Sequence, residues 1–386
     1  MAKRQLILLF SILLSCSFLA GCWDYVSLDD LAIVAGIAID IDEEDPTRFQ
    51  VSFEIINTSA AMVQESQGSL LVQSQGKTIY EAIHNANKQL YDQLYFGNME
   101  LIVISEPVAK EVGLKAVVDG FLRDPQIRDT VIMVVARGET AKKIITPQKE
   151  GGMIISHELN KNLDQERLTT DTTKALQIYE INNALLQDTS AIALPAFSYD
   201  EGEEDEEKNP QPVEDGMAIF HPDAQRGYLE EALVPYYLFC VEPLYGGAFS
   251  FPLAEYGNKH ATLSIDKSVP RLSYRLKDGA LTVRIHLAVE ASMIEFGVVG
   301  ANISYSAMAY YEREAATALQ ERVADMVTLV QTQEKGDIFG IARHIYRDNP
   351  KVWEALKADW EALFQDATIE ITTEFTIEDT GFLREG

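Results

Sequence analysis

"DEGEEDEEKNPQPVEDG", residues 200–216, divides the chain. It holds acids and prolines with almost no apolar side chain, so it has nothing to bury and reads as a solvated linker or a long hairpin tip. Taken as a linker, it sets an organisation of residues 1–21 as a signal segment, 22–199 as an N-terminal domain, 200–215 as an acidic linker and 216–386 as a C-terminal α+β domain. The N-terminal part allows two subdomains, 22–147 and 148–199.

Upstream, "LAIVAGIAIDID" (31–42) reads as a buried strand and "RFQVSFEIIN" as an alternating one, with the acidic turn "DEEDPT" between them. "SLLVQSQG" is a third strand. Ile79, Ala82, Ile83, Ala86 and Leu90 have helical spacing behind Thr78 as a cap. "MELIVIS" and "DTVIMVVAR" are buried strands, with a Pro107-initiated helix and "KAVVDGFL" between them. "ETAKKII", "GGMIISHELNKNLDQ" and "TTKALQIYEINNALLQ" read as helices, and "SAIALPAFSY" as extended.

Downstream, residues 260–296 alternate about a Lys-Asp-Gly turn at 277–279, a hairpin signal. A long helix is expected from Tyr305 to Gln333, with Met308, Tyr311, Ala315, Leu319, Val323, Met326 and Val330 as its core stripe rather than a coiled-coil seam. "KVWEALKADWEALF" is expected as one amphipathic helix, and "ATIEITTEFTIED" as a closing strand. Strands and helices do not alternate strictly, which predicts an α+β fold with largely antiparallel sheets.

The chain has 386 residues, 60 of them acidic and 32 basic, for a formal net charge of -28. Such a surface repels phosphate backbones and argues against nucleic-acid binding. It equally disfavours attachment to anionic lipid through overall charge. The three cysteines are Cys16, Cys22 and Cys240. Cys240, inside "VPYYLFCVEP", reads as a small buried hydrophobe.

No His pair has zinc-helix spacing, and there is no paired-Cys metal motif, Walker sequence, GxGxxG or GxSxG elbow. Asp40, Asp42 and Glu44 have the alternate spacing that opens an EF-hand. That loop needs Gly at its sixth position and Glu at its twelfth, where this chain has Asp45 and Val51, so a solvated turn is expected.

"MAKRQLILLFSILLSCSFLAGC" carries a basic start at Lys3 and Arg4, an apolar run from Leu6 to Leu14, and small residues before Cys22. The run is short for a bilayer span, which takes about 20 apolar residues. Leu19-Ala20-Gly21-Cys22 resembles the bacterial lipobox, in which the thiol takes a diacylglyceryl group, the chain is cut before the cysteine, and the new amino terminus is acylated. Two buried acyl chains give a stable anchor where one is marginal.

"GCWD", "DDLAIVAGIAID", "YFGNMELIVISEPVAKEVGLKAVVDGFLRDPQIRDTVIMVVARG", "GMAIFHPDAQRGYL" and "KGDIFGIARHIYRDNPKVWEALKADWEALF" follow one another in an order that resembles the Ger(x)C spore germination lipoproteins. The resemblance covers nearly the whole chain. It implies a non-enzymatic C-subunit of a nutrient germinant receptor, without a cofactor, held by lipid on the outer face of the inner spore membrane. Its implied partners are a membrane-spanning A-type subunit and a permease-like B-type subunit.

Carried over by position, Cys22 is the lipidation site. Asp24, Gly36, Asp40, Arg123, Asp124, Asp337 and Gly340 fall on recurrent positions of the family. The residues themselves suggest structural duties: Asp337 suits a helix N-cap, and Arg123 with Asp124 suits a helix end before Pro125. Asn98 stands where family members often have His, so a role of that His does not carry over. The rival reading is a lipoprotein that captures a small nutrient between its domains for uptake.

Overall fold

The structure is a computed structural model and describes residues 3–5, 10, 27, 30–57, 68–147, 153–165, 173–187, 191–200, 210–257, 259–296, 305–334 and 336–379. Cys22, Asp24 and residues 201–209 of the acidic stretch lie outside the described residues.

The described residues form two sheets. The larger is built from β1 (Leu31–Ile41), β2 (Phe49–Ile56), β3 (Ser69–Gly76), β4 (Gln93–Tyr95), β5 (Leu101–Ser105), β6 (Ile132–Ala136), β7 (Leu176–Gln177), β8 (Ile192–Asp200), β9 (Gln211–Phe220) and β10 (Gln225–Leu229). Its strand order is β10-β9-β8-β6-β5-β1-β2-β3, with β4 on β1 and β7 on β6. The centre, β8-β6-β5-β1, is parallel. The flanks β1-β2-β3 and β8-β9-β10 are antiparallel. The fold is α+β, as expected, and its sheets are mixed.

A parallel centre needs cover on both faces. On one face lie α1 (Ile79–Asn87), α2 (Leu114–Leu122) and α5 (Ile178–Gln187). On the other lie α3 (Ala141–Ile144) and α4 (Ile155–Gln165). Strand β1 serves both through a bulge between Val34 and Gly36. Ala32 and Val34 face the first helix layer, and beyond the bulge Ile37 and Ile39 do. The extra residue shifts the phase of the pleat, so that Gly36, Ala38 and Asp40 turn towards α3 and α4.

The second sheet has the order β11-β12-β13-β14, from β11 (Ala248–Leu253), β12 (Lys259–Lys277), β13 (Ala280–Glu295) and β14 (Thr368–Asp379). The β12–β13 turn is Asp278-Gly279, with φ of 51° and 81°, the pair of left-handed residues that a two-residue type I′ hairpin requires. β14 adds in parallel to β13, an orientation that its alternating sequence does not encode.

One face of this sheet is covered by α6 (Val234–Val241), α7 (Tyr305–Leu329), α8 (Ile341–Asp348), α9 (Pro350–Leu356) and α10 (Trp360–Asp366). α7 buries Tyr311, Ala315, Leu319, Val323 and Met326 as the spacing predicts, and is a core helix. The single helix expected over 351–364 is instead α9 and α10 joined by a 3₁₀ turn at Lys357–Asp359. The break lets the Trp353 and Trp360 rings meet edge to face, with centroids 5.3 Å apart.

The two cores meet across β8 and β9. Ile192, Leu194, Ala218 and Phe220 belong to the core of the larger sheet. Their alternates Ala191, Ala193, Met217 and Ile219 belong to the core of the second. β8 and β9 pair from Ile192↔Phe220 to Asp200↔Gln211. The acidic stretch therefore connects two strands of one hairpin, and residues 211–215 are part of β9. Of the two readings of the sequence, linker or hairpin tip, the register fits the second.

Candidate functional site at the seam between the sheets

Of the positions that the resemblance singles out, those among the described residues fall in three separate places. The first is the row of β1 facing α3 and α4. Gly36 sits where an added Cβ would lie 2.0 Å from Ser156 Oγ and 2.6 Å from Ser156 Cβ. Only a residue without a side chain lets the start of α4 come so near. Asp40, nearly fully buried, accepts hydrogen bonds from the backbone N–H groups of Ala141 (2.8 Å) and Lys142 (3.0 Å). It thereby satisfies donors that the first turn of α3 leaves open. Burial raises its pKa above the usual carboxylate value, and the two amides oppose that rise.

Glu54 was not singled out in the sequence and does the same for α4. It is fully buried on β2, opposite Gly36. It accepts from the N–H of Ile155 and of Ser156, each at 2.8 Å, and from Ser69 Oγ at 2.7 Å. A carboxylate inside "VSFEII", among strand residues buried on both sides, is the signal that marks it, since buried charge needs partners.

The second place is the exposed end of α2. Arg123 is the C-cap residue and pairs with Asp119 one turn earlier, Nε to Oδ2 at 2.8 Å. Asp124 Oδ1 accepts from the N–H of Gln126 at 3.0 Å and closes a turn around Pro125. Both residues form the expected helix end.

The third place is the seam. Asp337 is buried and accepts from the N–H groups of Ile341 (3.1 Å) and Ala342 (2.7 Å). The helix starts three residues later than the sequence suggests, because Gly340 takes a left-handed conformation (φ 73°) as its N-cap residue. Burial pushes the Asp337 carboxyl up to about 6, against four backbone amides that lower it. The carbonyl of Asp337 also accepts from Ala191 N–H at 3.1 Å, tying this loop to the start of β8.

Beside that loop is a crevice of about 150 Å³ between the two cores, lined among others by Lys174, Glu180, Ile192, Tyr237, Phe339, Gly340 and Arg343. Lys174 Nζ lies 3.0 Å from Glu242 Oε2. Glu242 Oε1 is buried without a hydrogen-bond partner among the described residues. The Tyr237 hydroxyl is pushed well above its usual pKa, first by burial and then by the charge of Glu242. Cys240, on the same helix, is buried, and its thiol is pushed up to about 12 by burial alone, an inert group as expected.

Arg137, at the end of β6, is a second residue that sequence reasoning missed, and its partners lie in the larger sheet and its closing hairpin. Its guanidinium bonds Asp215 of β9 at 2.9 Å and Glu230 at 2.8 Å, and stacks on the Tyr228 ring of β10 at 4.4 Å. It crosses from the parallel centre to the added hairpin, joining sequence on both sides of the acidic stretch. Among the described residues, no three His, Cys, Asp or Glu side chains form a group able to hold a metal ion.

Residues 24–199 match the spore germination protein N-terminal domain, and residues 215–381 match the "Spore germination B3/GerAC like, C-terminal" domain. The chain belongs to this spore germination protein family. Among its relatives are Spore germination protein KC of Bacillus subtilis (strain 168), 27% identical over 98% of this chain and 96% of the relative. Spore germination protein B3 of the same organism is 22% identical over 98% of each chain. A crystal structure of the GerBC protein shares the fold, with a TM-score of 0.58 and 19% identity over 89% of this chain and 97% of that one. In this chain Asp40, Asp337 and Gly340 set helix starts, and Gly36 allows a close approach.

Proposed function

We propose that the chain is the lipid-anchored, non-enzymatic C-subunit of a membrane germinant receptor, needed for nutrient-triggered spore germination. It acts by contact with the membrane-spanning A-type and permease-like B-type subunits. The observation that carries this reading is the match of both family domains, in order, across nearly the whole chain. Full-length relatives named as spore germination proteins support it. The structural duties of Gly36, Asp40, Asp337 and Gly340 suit a rigid contact module.

Anchoring through a diacylglyceryl and N-acyl lipid on Cys22 rests on the Leu19-Ala20-Gly21-Cys22 pattern. No helix of the described residues is long and apolar enough to cross a membrane. The anchor places the folded part on the outer face of the inner spore membrane. Replacing Cys22 with Ala is expected to abolish lipid labelling and membrane retention and to impair the germination response. Normal retention and response in that strain overturn the anchored-subunit reading.

The capture reading has the seam crevice in its favour. At about 150 Å³ it is the size of a cavity that takes benzene, well below the roughly 300–1,000 Å³ of drug-sized pockets. Any ligand there has about six heavy atoms. Calorimetric titration of the purified chain with small amino acids distinguishes the two: a saturable heat favours capture, and a flat titration favours a contact subunit.

A further inference from the structure

The second sheet has an incomplete edge. β11 pairs with β12 only from Lys259 to Ser264, and Ser268 then exchanges both backbone groups with Leu244, at 2.9 and 3.0 Å. From Val269 to Lys277, β12 is paired to β13 on one side and to no strand on the other among the described residues. Strand pleating repeats every second residue. The side that Ser268 presents to Leu244 is therefore presented again at Pro270, Leu272, Tyr274 and Leu276. Pro270 has no N–H to offer, which suits an edge. The next three residues turn their N–H and C=O groups outward.

The charge on the open face of this edge is the reverse of the chain as a whole. Arg271, Arg275 and Lys277 project from the open face of the sheet, are exposed, and take part in no ion pair among the described residues. Arg284 and His286 stand beside them on β13, opposite Ser273 and Arg271. Glu370, on the same face, is held by Arg284 at 2.7 Å. On the covered face, Tyr274 packs its ring on His344 of α8, with centroids 6.1 Å apart. The Tyr274 hydroxyl donates to Asp348 Oδ2 at 2.8 Å, and the His344 pKa is lowered by burial and then by the exposed Arg347, against the charge of Asp348. The open face beside this free strand edge thus carries Arg271, Arg275 and Lys277, in a chain of net charge -28.

We infer that the β12 edge from Arg271 to Lys277 is a docking site for an extended, acidic polypeptide segment of a partner, which adds to the sheet as a strand. Backbone hydrogen bonds to Leu272, Tyr274 and Leu276 supply the pairing, and carboxylates at alternate positions meet Arg271 and Arg275. A second copy of this chain does not fit, because two such edges would set cation against cation, the arrangement by which edge strands avoid self-pairing. The inference deepens the contact role proposed above and names a surface for it.

The test uses the purified chain and a fluorescent nine-residue peptide that alternates glutamate with valine and threonine. Saturable binding is expected by anisotropy at low salt, weakening as salt is added. The Arg271→Glu/Arg275→Glu double variant, altered only at exposed positions, is expected to bind about tenfold more weakly or worse. A peptide with proline at its central positions, which removes the N–H groups, is expected not to bind, and neither is the lysine counterpart.

The inference is overturned if the glutamate peptide does not bind, if the proline peptide binds as well, or if the double variant binds unchanged. It is also overturned if phosphatidylglycerol vesicles, and not the peptide, bind in an Arg271/Arg275-dependent way. Because the assay needs only chain and peptide, its failure leaves the Cys22→Ala germination test of the receptor reading standing on its own.

Discussion

The two sheets handle polar residues in opposite ways. The larger is covered by helices on both faces at its centre, and its strands bury charge: Asp40 on β1 and Glu54 on β2 are inside, each holding the amides of a helix start. The second sheet is covered on one face. Its strands alternate apolar and polar, and its charged residues, such as Arg284 and Glu370, meet in the open. Two-sided burial makes a polar residue costly unless it is fully partnered, so a carboxylate that persists there has a fixed structural duty. One-sided burial leaves the outer face free to vary or to bind.

The largest test of this contrast is Glu54→Ala. Three buried donors would lose their acceptor at once, and a loss of about 3–5 kcal/mol is expected in denaturant unfolding. A loss below about 1 kcal/mol would mean that the caps of the larger sheet are no more important than surface pairs.

Asp337 extends the same logic to the seam. Its folded pKa, about 6, is raised above the usual value of 3.8. The stability tied to its protonated form is therefore full below about pH 4 and is lost as pH rises through about 6. Asp337→Asn removes that titration, so the variant should gain relative to the natural chain between pH 4 and 7, by at most about 3 kcal/mol. The check is unfolding of both proteins across that range, and a pH-independent difference between them would count against a buried, titrating carboxyl.

Gly36→Ala is expected to cost about 1–3 kcal/mol by crowding Ser156. A second substitution, Ser156→Gly, should recover part of it in a double-mutant cycle. Simple additivity would show that the tight contact is not what requires glycine. At the small end, Arg284→Ala on the open face should change thermal stability by no more than about 1 kcal/mol. A greater loss there would erase the distinction between the two sheets.

Much of this was readable beforehand. The core stripe of α7, the Asp278-Gly279 turn and the buried thiol of Cys240 follow from local spacing and chemistry. So does the capping duty of Asp337, although the start of α8 was misplaced by three residues because a left-handed Gly340 is set by packing. Glu54 and Arg137 were not seen. Each acts on groups about 80 to 100 residues away in sequence, and no local pattern carries a contact of that kind.

The sequence by itself determined the family, the α+β class, the main strands and helices and the lipobox-like Cys22, since each lies in composition, periodicity or a contiguous motif. Only the tertiary structure decided that the strands on either side of the acidic stretch pair as one hairpin. It also decided that this hairpin's alternate faces feed two cores, and that β12 ends in an open, basic edge. Those outcomes depend on which strands pair, and pairing is settled by the burial of whole faces, to which residues far apart in the chain contribute together.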